Sequence, residues 1–349
     1  MPGGKERGSI ARSVACGHVL DELRERGWAS VPLDPETHAA YLRLAAHANW
    51  FFDEPTEHKQ ALDITNSVGH RGWVSPDQAG DYEDEGPRRY EAFDIGRTPA
   101  ATDLVEHALR GHNRWPRSAE GAAMRRDAET MFEFLESTCE LIGDAICADL
   151  GVDTNRLREL RTEPVSQLRL IRYFEIDDVQ AEFLDRAAMG AHTDYEFFTI
   201  LFQDAPGTQV LDDDGNWINV PHQGVVTLLV GDMLSVFSGG RYQSVLHRAS
   251  SGVREGRISI PYFAGADYSA LVRSAADDSE ESISFGTHLL TQLRRDFPYL
   301  READEDFVIN LTGRPARSSF ESRAWNRANQ RAGHTGAQGR AGRQLQASE

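Results

Sequence analysis

From Val165 to about Ala266 the apolar residues recur at every second position, and this change of period constrains the fold more than any other feature of the 349 residues. Gln167–Phe174, Phe197–Phe202, Gln209–Leu211, Val225–Val230, Met233–Phe237 and Arg257–Phe263 read as short strands. Turn signals such as Asp214-Gly215 and Ser238-Gly239-Gly240 separate them. Many short strands at regular spacing imply a mainly β core, a barrel or a double-sheet jelly roll, with helices outside. One helix precedes it. Met124, Ala128, Met131, Leu135, Cys139, Ile142 and Ile146 follow three- and four-residue steps, and Gly151 stands where a C-terminal cap belongs. Its methionines read as core filler rather than a cofactor box.

Residues 15–60 read as helical around a short strand at Trp28–Val31, and 66–117 as loops with short strands. A last helix is expected near 284–297. The expected organisation is therefore an N-terminal helical and loop region (1–117) packed on the core, the long helix plus the β core (118–313), and a flexible tail (314–349).

A formal net charge of −18 argues against nucleic acid and anionic membranes as partners. The polar N-terminus has no apolar stretch suited to a signal peptide or membrane span. Three cysteines without C-x-x-C spacing fit a reducing cytoplasm better than a disulfide framework or a thiolate zinc site. Only Lys5 and Lys59 are lysines among the 37 basic residues, a skew that accompanies GC-rich genomes.

The chemistry concentrates in the β region. Two residues two apart on a strand share a face, so His192 and Asp194 present an imidazole and a carboxylate side by side. His247 is placed to arrive from another strand. Two histidines and one carboxylate suit a non-haem iron(II) centre with positions open for O2 and a chelating co-substrate. Zinc in a hydrolase is the rival metal for the same three groups. Arg257 and Ser259 also share a face, and a guanidinium fork with a hydroxyl suits the far carboxylate of a dicarboxylate such as 2-oxoglutarate. On the strand Gln167–Phe174, parity groups Arg169, Ile171 and Tyr173; Tyr173 offers the co-substrate a hydroxyl and Arg169 offers an anionic group a partner. His222 and His288 read as ordinary surface or core residues.

The ordered set is more specific than its parts. It comprises Gly190-Ala-His-Thr-Asp-Tyr195, Thr199–Asp204, Gly207–Leu211, Gly215–Ile218, Val220-Pro221, Gly231–Leu234, Ser238–Ser244, His247-Arg248 and Arg257–Phe263. Together these resemble the isopenicillin N synthase-like family of iron(II)/2-oxoglutarate-dependent oxygenases. The likeness is dense over 165–265. It reaches the N-terminal half through Trp50–Phe52, Pro55, Lys59, Gly72-Trp73, Glu91–Gly96 and Gly111–Pro116, and the late helix through Phe285–His288.

The resemblance implies a double-stranded β-helix (jelly-roll) fold, iron on His192, Asp194 and His247, and 2-oxoglutarate on Arg257, Ser259 and Tyr173. It also implies oxidative decarboxylation of 2-oxoglutarate to succinate with hydroxylation, desaturation or cyclisation of a small metabolite, in bacterial natural-product biosynthesis. Arg169, Glu196 and Phe263 are the candidate substrate contacts. Three departures stand out: Ile171 replaces a common Asn, Glu196 replaces a common Gly, and the usual N-terminal strand is missing or degenerate in Met1–Val19. Two other readings fit the same barrel, an iron oxidase resembling isopenicillin N synthase that needs no 2-oxoglutarate, and a catalytically silent binding protein.

Overall fold

A half-buried strand needs neighbours, and the chain draws them from both of its halves. The computed structural model describes residues 9–15, 17–67, 69–78, 90–98, 109–175, 187–250, 256–276 and 281–300. The N-terminal part contains α1 (Ser9–Ala15), α2 (His18–Arg26), β1 (Trp28–Pro32), α3 (Pro35–Asp53), α4 (Thr56–Gln60), β2 (Gly72–Val74) and β3 (Tyr90–Gly96). Next come α5 (Ala119–Leu150), α6 (Asn155–Arg158), β4 (Gln167–Tyr173), β5 (Ala187–His192), β6 (Phe198–Gln203), β7 (Thr208–Leu211) and β8 (Trp217–Asn219). The chain continues through β9 (Val225–Val230), α7 (Asp232–Phe237), β10 (His247–Ser250), β11 (Arg257–Ala264), β12 (Leu271–Arg273), β13 (Ser282–Ser284) and α8 (Phe285–Asp296).

The strands form an antiparallel seven-stranded sheet in the order β1-β9-β6-β11-β4-β3-β2 and a four-stranded sheet in the order β5-β10-β7-β8. Trp28, Leu201 and Leu229 of the large sheet pack with Val210 of the small one and with Val220 and Val245 just outside its strands β8 and β10, so the two sheets share apolar contacts. This is the expected double-stranded β-helix with flanking helices. Strands β1, β2 and β3 extend the large sheet from the region expected to supply mainly helices and loops. No strand forms in the described part of Met1–Val19, where α1 stands, and β1 pairs with β9 instead.

Helix α5 follows its periodicity. Ser118 caps it by accepting from the Gly121 amide, and Gly151 ends it with a left-handed φ of 72° that a side chain would strain. All seven stripe residues are buried. Helices α3 and α5 pack on each other and both touch β11 on the outside of the large sheet.

Met233–Phe237, expected as a strand, is helix α7. A short apolar run does not distinguish helix from strand by period alone. The decision comes from backbone partners: the Asp232 and Met233 amides donate to the carbonyls of Asp194 and Glu196, and left-handed Gly239 and Gly240 follow its end. The tail from 314 onward lies outside the described residues. No helix among the described residues is long and apolar enough to cross a membrane.

Candidate metal centre

Neighbouring antiparallel strands bring their cross-strand partners together, and β5 and β10 pair with His192 opposite His247. Their ring centroids are 4.3 Å apart. Strand β5 ends at His192, so Asp194 reaches the pair from the irregular stretch that follows rather than along the strand. Its Oδ1 stands 3.9 Å from His192 Nε2 and 3.6 Å from His247 Nε2. One ligand atom from each of the three residues lies within 4.8 Å of the others, a set able to hold a metal ion.

The surroundings orient these atoms. His192 Nδ1 is 2.7 Å from the Gly190 carbonyl and His247 Nδ1 is 3.2 Å from the Val245 carbonyl. A ring that donates Nδ1–H to a carbonyl keeps the Nε2 lone pair for a metal. Burial first, and the His247 ring second, push His192 down to about 4, so its imidazole is neutral at physiological pH. Thr199 Oγ1 donates to Asp194 Oδ2 and aims the other oxygen at the two rings. Replacing Thr199 by valine is expected to weaken metal binding roughly 10- to 100-fold while the metal-free protein melts as before. Competition with a metal chelator measures it, and an unchanged affinity would remove Thr199 from this role.

Of the co-substrate candidates, Tyr173 and Ser259 line the cavity that holds this set, and Arg257 lies against the Tyr173 ring. Arg257 is 2% exposed, and its Nη1 donates to Gln203 Oε1 at 3.3 Å while Nε and Nη2 have no partner. Burial lowers its pKa, and Tyr173 lies against it with the guanidinium 4.0 Å from the ring centroid. A buried guanidinium with two unused donor atoms is unfavourable unless an anion completes it. Gly207 gives it room: a Cβ there would come within 2.6 Å of Arg257 Nε, and the φ of 145° favours glycine. Ser259 shares the buried face of β11, its hydroxyl 3.4 Å from the Phe202 carbonyl.

Of the substrate candidates, Arg169, Phe263 and Glu196 all line the cavity that contains the three metal-binding candidates. Arg169 already grips Asp94 through two bonds, Nε–Oδ1 at 2.6 Å and Nη2–Oδ2 at 2.8 Å. Glu196 is 5% exposed and lies in the bend that follows β5. Burial, with Asp194 second, raises its carboxyl to about 8. Sequence reading missed Gln167, Thr199, Tyr195 and Phe297 on the same cavity. Gln167 was open to the parity argument, being two residues before Arg169; Phe297 and Tyr195 depend on how α8 packs.

Behind Arg169, buried His70 stands 3.6 Å from Asp94 and 2.5 Å from the Tyr299 hydroxyl. Burial pushes His70 down to about 3. Below the ordinary histidine value of about 6.5, the unfolded chain takes up a proton that the fold refuses, so stability is complete at neutral pH and falls as pH drops. Between about pH 6 and pH 4, the wild type is expected to lose about 1.4 kcal/mol per pH unit more than His70→Asn in urea unfolding. Asparagine is chosen because the backbone φ is 59°. Equal slopes would mean that His70 is protonated in the fold.

Comparison with known proteins agrees with this geometry. A family model described as the 2OG-Fe(II) oxygenase superfamily matches residues 165–266. The 2-oxoglutarate-dependent dioxygenase caaD of Aspergillus niger is 30% identical over 237 residues, 65% of this chain and 70% of that protein. Homoarginine-6-hydroxylase 2-ODD-233 of Oryza sativa is 28% identical over 264 residues, 71% of this chain and 78% of its own. Among solved structures, a full-length Neurospora crassa protein in complex with alpha-KG and thymine superposes with a TM-score of 0.69 at 21% identity, covering 81% of this chain and 91% of that one.

Proposed function

Since the chain belongs to the 2OG-Fe(II) oxygenase superfamily, we propose that His192, Asp194 and His247 hold its iron and that Arg257, Ser259 and Tyr173 hold the far carboxylate of 2-oxoglutarate. It is a non-haem dioxygenase that uses Fe(II), 2-oxoglutarate and O2 on a small molecule. The observation that carries the residue assignment is a His-Asp-His set in a cavity lined by Tyr173 and Ser259, with a buried arginine that has two unpartnered donor atoms packed against the Tyr173 ring.

When bound, the iron with its co-substrate supplies the oxidation: 2-oxoglutarate loses CO2 and takes one oxygen atom to become succinate, and the other oxygen atom goes to the substrate. The chain's own residues do the positioning. His192 and His247 offer Nε2 atoms oriented by the backbone carbonyls beside their Nδ1 atoms, and Asp194 offers the carboxylate oxygen that Thr199 leaves unbound. Arg257 and Ser259 offer N–H and O–H donors along one face of β11, and Tyr173 backs the guanidinium. Phe263 and Glu196 belong to the substrate side of the cavity.

The reaction we assign is hydroxylation of a small metabolite, as the name of the homoarginine-6-hydroxylase suggests. A setting in bacterial natural-product biosynthesis belongs to this proposal; the arginine skew bears only on a GC-rich genome, and the relatives compared come from a fungus and a plant. Buried free thiols at Cys139 and Cys147 suit the cytoplasm.

The test is anaerobic. Fe(II) followed by 2-oxoglutarate is expected to give a visible absorption band in the wild type, and Arg257→Met is expected to bind iron equally but give no band at the same co-substrate concentration. O2 is then admitted with a panel that includes homoarginine and thymine, and succinate is measured. Absence of the band in the iron-loaded wild type would sink the assignment.

A further inference from the structure

Strand β4 turns Gln167, Arg169, Ile171 and Tyr173 toward one cavity, each two residues from the next. The last two lie nearest the β11 residues Ser259 and Arg257, their partners in register. Gln167 and Arg169 lie farther along the strand. The Gln167 Nε2 is buried and has no partner in the protein. A buried amide N–H without an acceptor is unfavourable, and a bound oxygen would relieve it.

Arg169 is held rigidly. Asp94, its cross-strand partner on β3, binds it at two atoms with a carboxylate that is fully buried. The charge of the guanidinium is thereby met inside the protein, while its edge remains a polar wall of the cavity. Two aromatic rings border this wall. Phe263 stands opposite Gln167 across β4 and β11, and the Phe297 ring centroid is 5.7 Å from the Arg169 guanidinium.

We propose that Gln167 and Arg169 form a substrate subsite for a neutral carbonyl oxygen, that of an amide, lactam or ketone, with the carbon skeleton resting between Phe263 and Phe297. This rests on the iron and 2-oxoglutarate reading above. Charge selects the neutral group. A divalent iron, the Asp194 carboxylate, a dicarboxylate co-substrate and Arg257 sum to zero, Arg169 with Asp94 adds nothing, and Asp296 and Arg248, which also line the cavity, carry opposite charges. A substrate carboxylate would approach the buried Asp94 and Asp296 carboxylates, and a substrate ammonium would approach Arg169.

Three probes that share a six-membered ring test it: 2-piperidone (neutral lactam), cyclohexanecarboxylate (anion) and piperidine (cation). Each is titrated by calorimetry into anaerobic protein loaded with Fe(II) and 2-oxoglutarate. The lactam is expected to bind most tightly. Gln167→Leu is expected to weaken it about fivefold, the effect of one hydrogen bond, and leave the co-substrate band unchanged. Arg169→Lys, which keeps a cation for Asp94, is expected to weaken it as well. Equal or tighter binding of either charged probe, no lactam binding, or an unchanged affinity in Gln167→Leu would overturn the subsite. These outcomes leave the band intact, whereas failure of the iron reading abolishes the band itself.

Discussion

Changing His247 to alanine is expected to abolish 2-oxoglutarate turnover and the visible band, with iron affinity falling by more than the roughly 10- to 100-fold that loss of an outer hydrogen-bond partner causes. The reason is geometric. His247 opens β10 opposite His192, and its ring is the only proposed ligand from that strand. Without it two proposed ligands remain, and a site left with an imidazole and a carboxylate loses the facial arrangement suited to non-haem iron(II). The fold should survive, because β10 keeps its backbone pairing to β5 and β7 through Ala249. Iron content, the band and the melting curve of the metal-free protein are the measurements. A variant that keeps wild-type iron affinity would remove His247 from the centre, and one that keeps iron and turnover would revive the reading of a binding protein with an idle triad.

Replacing Glu91 by leucine is expected to destabilise the protein by about 3–5 kcal/mol, as removal of one partner from a buried ion pair does. Glu91 is 2% exposed and accepts from Lys59 Nζ, Trp73 Nε1 and Arg172 Nη2, each at 2.8 Å. Lys59 is 7% exposed, so its ammonium would remain buried with the Phe52 carbonyl and no counter-charge. Arg172 suffers less because it also reaches Asp53. Urea unfolding measures the loss. The double variant Lys59→Met/Glu91→Leu should recover most of it, since the stranded charge is then gone. A loss below about 1 kcal/mol in the single variant would show that water reaches Lys59 and that the network contributes little.

Parity explains why much of the proposed site was legible. Arg257 and Ser259 share a buried face of β11 because strand side chains alternate, a local rule that needs no knowledge of the partner strand. The α5 stripe and its glycine cap follow from helical spacing in the same way. Local rules failed where a segment takes its backbone partners from elsewhere. Helix α7 looked like a strand until the carbonyls of Asp194 and Glu196 claimed its first amides. Asp194 was placed on a strand that in fact ends two residues earlier, yet the three side chains still meet.

What the sequence by itself determined is the alternating β region, the long helix, and the types and faces of the groups that gather at the cavity. Only the tertiary structure decided that β1, β2 and β3 complete the large sheet and that Asp94 takes the charge of Arg169. It also decided that the Gln167 side-chain N–H is buried without a partner in the cavity wall. The physical reason is range. Face and spacing are set by backbone geometry within a few residues, whereas charge compensation and desolvation depend on contacts between residues such as Asp94 and Arg169, 75 positions apart.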